Sequence, residues 1–383
     1  MSEWKEGFLS DVAEIIMGQS PTGETCNTNG VGVPLLNGPT EFGIKYPEPL
    51  QFTSEPKKFS KENDILFCVH GSTTGKMNWS DQEYALGRGL AAIRPKNGEK
   101  YRYFIRGVID SNLSLLLASA TGSTFPNVSR DQLNGLEILV PPPDEQKAIA
   151  SVLSSLDDKI DLLHRQNKTL EAMAETLFRQ WFVEEAQDDW KEVKIADFVE
   201  LNRASIDKNY SYQTIEYLDT GSLISGKIES FQSFSLNDAP SRAKRLVQHN
   251  DVLISTVRPD QKHYGIIKNP IENLVVSTGF CVLTCTKIDP HFIYLLLTNN
   301  EMTDYLHTIA EGSTSTYPSL KPSDIGSISF QLPPHNRLKE FSVFAQNSWK
   351  KIEKNHIQIR TLETLRDTLL PKLMSGEVRV DYP

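Results

Sequence analysis

The sequence repeats itself once, and this internal duplication constrains the fold more than any other feature. Three repeated segments show it: Trp4-Lys5-Glu6 returns as Trp190-Lys191-Glu192, Asn63-Asp64-Ile65-Leu66 as Asn250-Asp251-Val252-Leu253, and Pro141-Pro142 as Pro333-Pro334. The offset between the copies grows only from 186 to 192 residues, a drift that small loop insertions explain. The chain therefore contains two copies of one folding unit.

Each copy begins with a segment that reads as a globular domain. Short β-type runs, such as residues 65–69 and 274–276, alternate with turn-forming Gly, Pro, Asn and Ser. This pattern predicts two similar α+β domains at residues 1–143 and 190–332. A helix is expected at about 101–119 and again at about 290–310. A proline pair ends the last strand of each domain, because proline cannot continue a β-ladder.

The second segment of each copy, residues 144–189 and 333–383, is predicted to form a long spacer helix. Its apolar residues alternate spacings of three and four, the heptad pattern of a coiled coil. The first seam comprises Ile149, Leu153, Leu156, Ile160, Leu163, Asn167, Leu170, Ala174, Leu177 and Trp181, and the second comprises Phe341, Ala345, Ser348, Ile352, Asn355, Ile359, Leu362, Leu369 and Leu373.

An isolated helix cannot bury such a stripe, so each spacer helix needs a partner surface. The duplication favours an antiparallel coiled coil of the two helices under a pseudo-twofold axis, in which Asn167 faces Asn355 and fixes the register. The alternative is that each helix packs on its own globular domain.

Composition places the chain among globular proteins. Apolar residues make up 39% of its 383 residues, and no run approaches the roughly 18 apolar residues of a membrane span. The start, MSEWKEGFLS, lacks the pattern of a secretory signal, so a cytoplasmic protein without a membrane partner is expected. The four cysteines form no CxxC pair, which favours a structural role for them.

The net charge of −9, taken for the whole chain, disfavours a nucleic-acid partner. Most of the excess lies in residues 144–189, which carry 11 acidic and 5 basic groups, whereas each globular domain carries 16 acidic and 13 basic groups. A protein partner is therefore expected at the first spacer helix. Tight DNA binding is expected only inside a complex whose other subunits contact much of the phosphate backbone.

The sequence contains no motif that predicts catalysis. Residues 87–92 (GRGLAA) fit a dinucleotide-binding pattern, but Ile93-Arg94-Pro95 follows where a helix should begin. Residues 71–76 (GSTTGK) are one residue shorter than a phosphate-binding loop. The eight histidines include no pair with the spacing of metal ligands. We therefore predict no catalytic residue, no metal ligand and no cofactor bound by this chain.

Several segments resemble one protein family. Residues 16–21 (IMGQSP), 34–39 (PLLNGP), 70–78 (HGSTTGKMN) and 87–94 (GRGLAAIR) resemble the first target-recognition domain of a type I restriction-modification specificity subunit. Glu145-Gln146-Lys147 and residues 369–377 (LLPKLMSGE) are similar to the spacer regions of that family. The resemblance covers essentially the whole chain. The second domain keeps only fragments of the pattern, and Asn336-Arg337-Leu338 replaces Glu145-Gln146-Lys147.

The resemblance implies a non-catalytic subunit that recognises double-stranded DNA. Each domain would read one half of an asymmetric, bipartite site, while the helices would separate the halves and dock two modification subunits. Those modification subunits would bind S-adenosylmethionine and methylate adenine, and restriction subunits would translocate and cleave DNA. Because half-sites on one face of B-DNA lie at a fixed separation, rigid helices would act as a ruler.

Loops rich in basic, amide and hydroxyl side chains are the candidate DNA-binding segments, because these groups contact base edges and phosphates. In the first domain they supply Gln19, Ser20, Asn37, Lys45, Ser72, Thr73, Thr74, Lys76, Asn78, Arg88, Thr124 and Asn127. In the second domain they supply Arg203, Thr256, Arg258, Gln261, Lys262, His263, Tyr264, Thr278, Ser313, Thr314, Ser315 and Tyr317.

Two other functions stay open at the level of sequence. The first is an assembly adaptor whose duplicated domains bind protein and never touch DNA. The second is a self-sufficient nuclease or methylase, which predicts that the isolated chain binds a metal or S-adenosylmethionine.

Overall fold

The computed structural model describes residues 4–120, 126–312 and 318–381. The chain divides into two compact units, of which unit 1 contains Met1–Arg165 and His356–Pro383 and unit 2 contains Gln166–Asn355. The last part of the second long helix therefore belongs to the unit of the first domain. The last part of the first long helix belongs to the unit of the second domain. Each unit is built from both sequence copies.

Unit 1 mixes short strands with short helices. Its elements are β1 Lys5–Phe8, α1 Leu9–Val12, β2 Ala13–Met17, β3 Cys26–Asn27, β4 Val33–Leu36, β5 Gln51–Thr53, β6 Ile65–Cys68, β7 Met77–Trp79, β8 Ala85–Leu86, β9 Leu90–Pro95, α2 Arg102–Ser111, α3 Leu113–Ala118, α4 Arg130–Asn134, β10 Glu137–Val140 and the first part of α5 Pro143–Arg179. The strands form an antiparallel sheet β2-β9-β6-β7, a mixed sheet β3-β5-β4-β8 in which β4 and β8 are parallel, and an antiparallel pair β1-β10.

The central strand β6 shows why this sequence forms a covered sheet. Its four residues, Ile-Leu-Phe-Cys, are all buried. Ile65 and Phe67 join the core beneath α2, whereas Leu66 and Cys68 join a second core formed with Leu36 of β4. Because successive side chains of a strand point to opposite faces, a continuous apolar run fits a strand that is covered on both sides.

Unit 2 has a corresponding set of elements. They are the last part of α5, β11 Lys191–Lys194, β12 Val199–Leu201, β13 Thr214–Leu218, β14 Leu223–Ile224, β15 Lys227–Ile228, β16 Gln232–Ser235, β17 Ala243–Leu246, β18 Val252–Ser255, β19 Tyr264–Ile266, β20 Leu274–Ser277, β21 Phe280–Cys285, α6 Pro290–Thr298, α7 Asn300–Glu311, α8 Pro322–Gly326, β22 Ser329–Leu332 and the first part of α9 His335–Ser375.

The sheets of unit 2 repeat those of unit 1. The order β12-β21-β18-β19 corresponds to β2-β9-β6-β7, and the pair β11-β22 corresponds to β1-β10. The second sheet, β16-β13-β20-β17, again contains one parallel pair, β13 with β20. The predicted α+β class and the predicted internal repeat are confirmed.

The repeated Asn-Asp motif is a structural turn before the central strand of each unit. Asn63 and Asn250 both adopt a left-handed backbone, with φ of 70° and 72°, a conformation that asparagine tolerates better than most residues. The carboxylate of Asp64 accepts a hydrogen bond from the backbone N–H of Lys61, and that of Asp251 accepts one from Gln248. The motif therefore recurs because the turn recurs.

The helices predicted at 101–119 and 290–310 are each broken once. Asn112 separates α2 from α3, and Asn299 separates α6 from α7. The side chain of Asn299 accepts a hydrogen bond from the backbone N–H of Met302, so it caps a new helix instead of continuing the old one. The prediction of helical structure in both segments is confirmed, and each segment contains two helices instead of one.

The two long helices run antiparallel within each unit. In unit 1, Ile160 and Leu163 of α5 are buried with Ile359 of α9, and Leu362 packs against them. The start of α5 and the end of α9 also enter the core of the domain, through Ile149, Leu153, Leu369 and Leu373. The seam therefore combines helix-to-helix packing with packing on a domain. Among the described helices, none is long and apolar enough to cross a membrane.

In unit 2 the seam changes register near the end of α5. Ala174, Phe178 and Phe182 are buried with Phe341 of α9, whereas Leu177 and Trp181, the predicted seam residues, are only half-buried. The ring of Phe178 lies 6.0 Å from that of Phe341 and 5.2 Å from that of Phe292 in α6. This aromatic cluster rotates the last turns by one residue, so the predicted continuation of the heptad was wrong there.

Most of the remaining seam residues are buried or half-buried. Ile352 is buried, and Leu156 and Leu170 are half-buried. The polar members Asn167 and Asn355 are 5% and 0% exposed. Asn355 Nδ2 donates a hydrogen bond of 2.7 Å to Asn167 Oδ1, so the two residues meet as the sequence predicts. Their other amide atoms, Asn167 Nδ2 and Asn355 Oδ1, have no hydrogen-bond partner among the described residues.

This buried pair makes a testable prediction. Asn355→Leu should lower the free energy of unfolding by about 1–3 kcal/mol, because it leaves the buried amide of Asn167 without its partner. The double variant with Asn167→Leu should be more stable than either single variant, because two apolar residues suit the seam. Denaturant unfolding of the full chain measures both effects.

Asn347→Leu serves as the control, since Asn347 is exposed on the same helix and should change stability by less than about 0.5 kcal/mol. Additive effects of the two seam substitutions would contradict the pairing.

Candidate nucleic-acid interface

Five loops of unit 1 are joined by a chain of backbone hydrogen bonds. They follow β2 and β4, connect β6 to β7 and β8 to β9, and precede α4. The bonds run from the N–H of Gly18 to Leu90 O, of Gln19 to Leu86 O, of Gly87 to Leu36 O, of Val69 to Gly89 O and of Val128 to Val69 O, all between 2.8 and 2.9 Å. The loops that carry most of the first-domain candidates therefore form one cluster, which we call the first loop cluster.

Glycines allow these loops to approach one another. An ideal Cβ on Gly18 would lie 2.1 Å from the carbonyl oxygen of Gly87, and one on Gly89 would lie 2.3 Å from that of Asn37. Real side chains cannot occupy such positions unless the backbone moves. Arg88 lies between the two close-packed glycines, Gly87 and Gly89, so the loop fixes its backbone.

Seven of the first-domain candidates are exposed on or beside this cluster. They are Gln19, Ser20, Asn37, Ser72, Lys76, Arg88 and Asn127. The hydroxyl of Ser20 accepts a hydrogen bond from the backbone N–H of Arg88, and Asn37 Nδ2 donates to Gln51 Oε1 at 2.9 Å. Within the described part of the chain, no hydrogen bond or ion pair engages the guanidinium of Arg88 or the ammonium of Lys76. These two cations can contact an anionic ligand.

Three first-domain candidates have structural roles. The ammonium of Lys45 lies 2.9 Å from Asp158 and 3.8 Å from Asp161, both on α5, so it ties the domain to the helix. Asn78 is 4% exposed, donating through Nδ2 to Gly43 O and accepting at Oδ1 from the N–H of Trp79. Internal partners engage both side chains, and their contact with DNA stays a prediction.

Thr74 is the third candidate with a structural role. It is buried, and its hydroxyl lies 2.7 and 2.8 Å from the carbonyl oxygens of Gly71 and Pro126. This hydroxyl joins two loops of the cluster. Its neighbour Thr73 is half-buried, with Oγ1 3.5 Å from the sulfur of Cys68.

Unit 2 forms an equivalent loop cluster, the second loop cluster. The N–H of Thr256 donates to Gly279 O and the N–H of Leu320 donates to Thr256 O, as Val69 does to Gly89 and Val128 to Val69 in unit 1. The β-bridge between Val257 and Ser319 corresponds to that between His70 and Asn127. The same backbone arrangement is therefore built twice.

The loop from Thr256 to His263 presents the exposed candidates of unit 2. Arg258 and Lys262 flank a 3₁₀ turn, Pro259–Gln261, and adopt left-handed backbones with φ of 48° and 56°. Such conformations are uncommon for residues with a side chain and concentrate at functional sites. Arg258, Gln261 and Lys262 are exposed, as is Arg203 after β12, whose Nε lies 3.3 Å from Glu200.

Other second-domain candidates are engaged inside the fold. The hydroxyl of Thr256 donates to Gly279 O at 2.9 Å, and Thr256 is buried. His263 Nδ1 lies 2.8 Å from Leu223 O, and the half-buried ring of Tyr264 packs edge-on against Tyr294. Thr278 is half-buried, and its N–H donates to Arg242 O. Contact of Thr256, His263 and Tyr264 with DNA stays a prediction.

Five candidates lie outside the described residues: Thr124, Ser313, Thr314, Ser315 and Tyr317. Two exposed residues of the clusters were missed by the sequence reasoning, His70 in unit 1 and Arg242 in unit 2. His70 lies in a segment that already carried the family resemblance, so that segment was a usable signal. Arg242 is adjacent to Thr278 only through strand pairing, for which the sequence gives no signal.

A buried polar cluster in unit 2 contains an aspartate, a histidine and a lysine, residue types that also form proton relays. His291 Nδ1 lies 2.8 Å from Asp289 Oδ1, and His291 Nε2 lies 2.9 Å from the ammonium of Lys268. His291 is 2% exposed and stacks on Trp349. Burial lowers the pKa of His291, and burial lowers the pKa of Lys268 to about 8. The cluster fastens the domain to α9.

The described residues contain no group of three or more His, Cys, Asp or Glu side chains arranged to hold a metal ion. Burial raises the pKa of both Cys281 and Cys285 to about 12, so these thiols stay protonated. Two other cysteines, Cys26 and Cys68, are also unpaired.

Comparison with known proteins identifies the family. The sequence matches the type I restriction modification DNA specificity domain twice, over residues 1–172 and 187–364. These two matches correspond to the two sequence copies. The chain belongs to the family of type I restriction-modification DNA specificity domains.

Relatives support this membership over different lengths. The type I restriction enzyme MjaIX specificity subunit of Methanocaldococcus jannaschii is 28% identical over 420 aligned residues, which cover 99% of this chain and 94% of that protein. The HindI specificity subunit of Haemophilus influenzae is 30% identical over 183 residues, 47% of this chain and 40% of that protein. A further Methanocaldococcus jannaschii specificity subunit is 34% identical, and the match spans only 37% of its length.

A solved structure shows the same fold. The crystal structure of a type I restriction-modification S subunit from M. genitalium superposes with a TM-score of 0.61 at 18% identity, covering 97% of this chain and 96% of that one.

The close approach at Gly89 makes a testable prediction. Gly89→Ala should lower the free energy of unfolding by about 1–3 kcal/mol, because the new Cβ forces the loops of Asn37 and Arg88 apart. Gly38→Ala is the matched control in the same cluster, since no atom lies within 4 Å of its Cβ position. Thermal unfolding of both variants measures the difference. Equal melting temperatures would show that the loops do not need this contact.

Proposed function

We propose that this chain is the non-catalytic DNA sequence-recognition subunit of a type I restriction-modification complex. Each domain reads one half of a bipartite, double-stranded DNA site. Family membership supports DNA target recognition, and the twofold occurrence of the loop cluster supports two half-sites.

The observation that carries the proposal is one backbone arrangement bearing two different sets of side chains. Where the first cluster presents Gln19 and Arg88, the second presents Arg203 and Thr278 in the corresponding loops. The loop that carries Lys76 in unit 1 carries Arg258 and Lys262 in unit 2. Because base edges are distinguished by the donors and acceptors that face them, these two sets read different sequences.

The exposed side chains divide by chemistry into two tasks. An arginine can bind guanine O6 and N7 with two hydrogen bonds, and a glutamine or asparagine can bind adenine N6 and N7. Arg88, Arg258 and Gln19 are the base-reading candidates. Lysine ammonium groups bind phosphate as point charges, which fits Lys76 and Lys262.

The long helices set the distance between the half-sites in this proposal. The 37 residues of α5 and the 41 residues of α9 correspond to about 55 and 60 Å of helix. The buried Asn167–Asn355 pair opposes sliding of one helix along the other, because a shift by one heptad would place the amide of Asn355 opposite an apolar seam residue, Ile160 or Ala174.

The partner subunits complete the function. Two modification subunits dock on the helices, bind S-adenosylmethionine and methylate adenine, and restriction subunits translocate and cleave DNA. The acidic segment 144–189 is the candidate docking surface, since it carries 11 acidic and 5 basic groups. The weakly acidic domains bind DNA tightly only in this complex, whose other subunits supply phosphate contacts.

Arg258 tests base reading. In the chain co-expressed with its methyltransferase partner, Arg258→Lys should relax one position of the second half-site by about 1–3 kcal/mol, because lysine keeps the charge but loses the two-point contact with guanine. Lys76→Ala should weaken binding to all sequences and reduce the slope of log affinity against log salt by about 0.9. Selection from a randomised DNA pool at two salt concentrations measures both effects.

Lys100→Ala is the control for Lys76→Ala, since Lys100 is exposed in the turn before α2 and lies outside the loop cluster. Unchanged specificity and affinity for both test variants would refute the loop assignment. Absence of DNA binding by the wild-type complex would favour an assembly adaptor.

A further inference from the structure

A concentrated set of cations lies on two segments of the second domain, residues 202–208 and 241–248. These 15 residues carry 5 of the 13 basic groups of residues 190–332 and only 1 of its 16 acidic groups. The remainder of the domain is strongly acidic, so this surface is an exception within it. We call the two segments the basic strip, and its basic residues are Arg203, Lys208, Arg242, Lys244 and Arg245.

Backbone hydrogen bonds join the two segments. The N–H of Ile206 donates to Lys244 O at 2.8 Å, and the N–H of Leu246 donates to Ala204 O at 3.1 Å. The segment 202–208 therefore runs beside β17, the last strand of the sheet β16-β13-β20-β17, and covers part of its open edge.

Protection of a sheet edge does not explain these cations. Lysines often occur on edge strands because they discourage pairing with another chain. Here the outward backbone groups of Lys244 and Leu246 already bond to the segment 202–208. Because no further strand can pair at these positions, an anionic ligand is the better explanation for the charges.

Arg242 and Lys244 point away from the core of the domain. Ala243, which lies between them, is buried in a cluster with Ile215 and Val275. Since successive side chains of a strand alternate between its faces, Arg242 and Lys244 project from the other face, and both are exposed. Within the described part of the chain, no hydrogen bond or ion pair engages either side chain. Both cations can therefore meet an anion.

Two other cations of the strip are partly engaged. Arg203 Nε lies 3.3 Å from a carboxylate oxygen of Glu200, and both side chains are more than half exposed. Arg245 Nη1 donates to the hydroxyl of Ser205 at 3.2 Å. An exposed ion pair contributes little free energy, so Arg203 can exchange Glu200 for another anion.

The basic strip adjoins the second loop cluster. The N–H of Thr278 donates to Arg242 O at 2.8 Å, and Thr278 precedes the glycine whose carbonyl oxygen accepts the N–H of Thr256. Thr256 begins the loop that presents the exposed candidates of unit 2. The surface of the candidate base-reading loops thus continues into a row of arginine and lysine side chains.

The first domain carries a smaller version of the strip. Lys57 and Lys58 precede the Asn-Asp motif by the same number of residues as Lys244 and Arg245 do in the second domain. Both lysines are exposed, and the ammonium of Lys57 lies 3.8 Å from Glu55. Basic residues therefore occur at this place in both copies of the repeat.

We propose that the basic strip binds the phosphate backbone of double-stranded DNA beside the second half-site. This proposal rests on the proposed function of the chain in DNA recognition. Phosphate contacts hold a protein in register on the duplex, whereas contacts with base edges supply the specificity. The strip therefore contributes affinity that is equal for all sequences and that falls as the salt concentration rises.

The double variant Arg242→Gln with Lys244→Gln tests the proposal in the chain co-expressed with its methyltransferase partner. The probes are a duplex that carries the motif selected by the wild-type complex and a duplex of scrambled sequence. Fluorescence anisotropy at several salt concentrations measures the affinity for each. We expect both affinities to fall at least about fivefold at about 0.1 M salt. The slope of log affinity against log salt should fall by about 1.8, since each phosphate contact contributes about 0.9.

Two controls accompany this variant. Lys191→Gln with Lys194→Gln removes the same charge from exposed positions of β11, a strand that pairs only with β22, and should leave the affinity and the slope unchanged. Arg242→Lys with Lys244→Arg keeps both charges at the strip. It should bind within about twofold of the wild type, because lysine and arginine both bind phosphate.

Several results would overturn the proposal. An unchanged affinity and slope for the Arg242→Gln, Lys244→Gln variant would do so while leaving DNA recognition by the wild-type complex intact. Loss of the methyltransferase subunit from that variant, seen by native mass spectrometry, would show that the strip binds protein instead of DNA. A wild-type complex that binds neither duplex would refute the proposed function and the role of the strip together.

Discussion

Neither globular domain of this protein completes its hydrophobic core from its own half of the sequence. The core of unit 1 takes in Leu373 from the end of α9, with Leu369 and Met374 packed against it. The core of unit 2 takes in Ala174, Phe178 and Phe182 from the end of α5. Because each domain needs the helix of the other half, the duplication, the antiparallel helices and the two loop clusters form one interdependent structure. An uncovered stripe of this kind would expose several large apolar side chains to water, at a cost of about 1.5–3 kcal/mol for each one fully buried in the native state.

This dependence explains which parts of the fold could be predicted from the sequence. The seam could be predicted because heptad spacing is local and because Asn167 and Asn355 occupy equivalent places in the two copies. Which residues of the last turns of α5 are buried could not be predicted. Phe178 and Phe182 are buried more deeply than Leu177 and Trp181, because they pack in an aromatic cluster that includes Phe292 from the second domain. Distant residues that meet only in the folded chain decide that register.

The candidate site was predicted in part for a similar reason. Loop positions could be identified from their Gly, Ser, Thr and Asn content, and the exposed cationic candidates Lys76, Arg88, Arg258 and Lys262 belong to the two loop clusters. The sequence does not show which polar side chains the fold itself uses. Lys45 binds carboxylates of α5, and Asn78 and Thr256 join backbone segments of their own domain. These residues look like binding residues in sequence because the same hydrogen-bonding groups serve both purposes.

The two loop clusters share one backbone arrangement and carry different side chains. Glycines such as Gly18 and Gly89 hold the loops at distances that no side chain would permit, while the intervening residues differ between the two domains. Under the proposed function, a half-site can therefore change without a change of fold. The most direct test of the account is sequencing of methylated adenines in the host with and without this gene. The account predicts the loss of one bipartite motif whose two halves differ and are separated by a gap of fixed length. An unchanged pattern of methylation, or the loss of a motif with two identical halves, would contradict it.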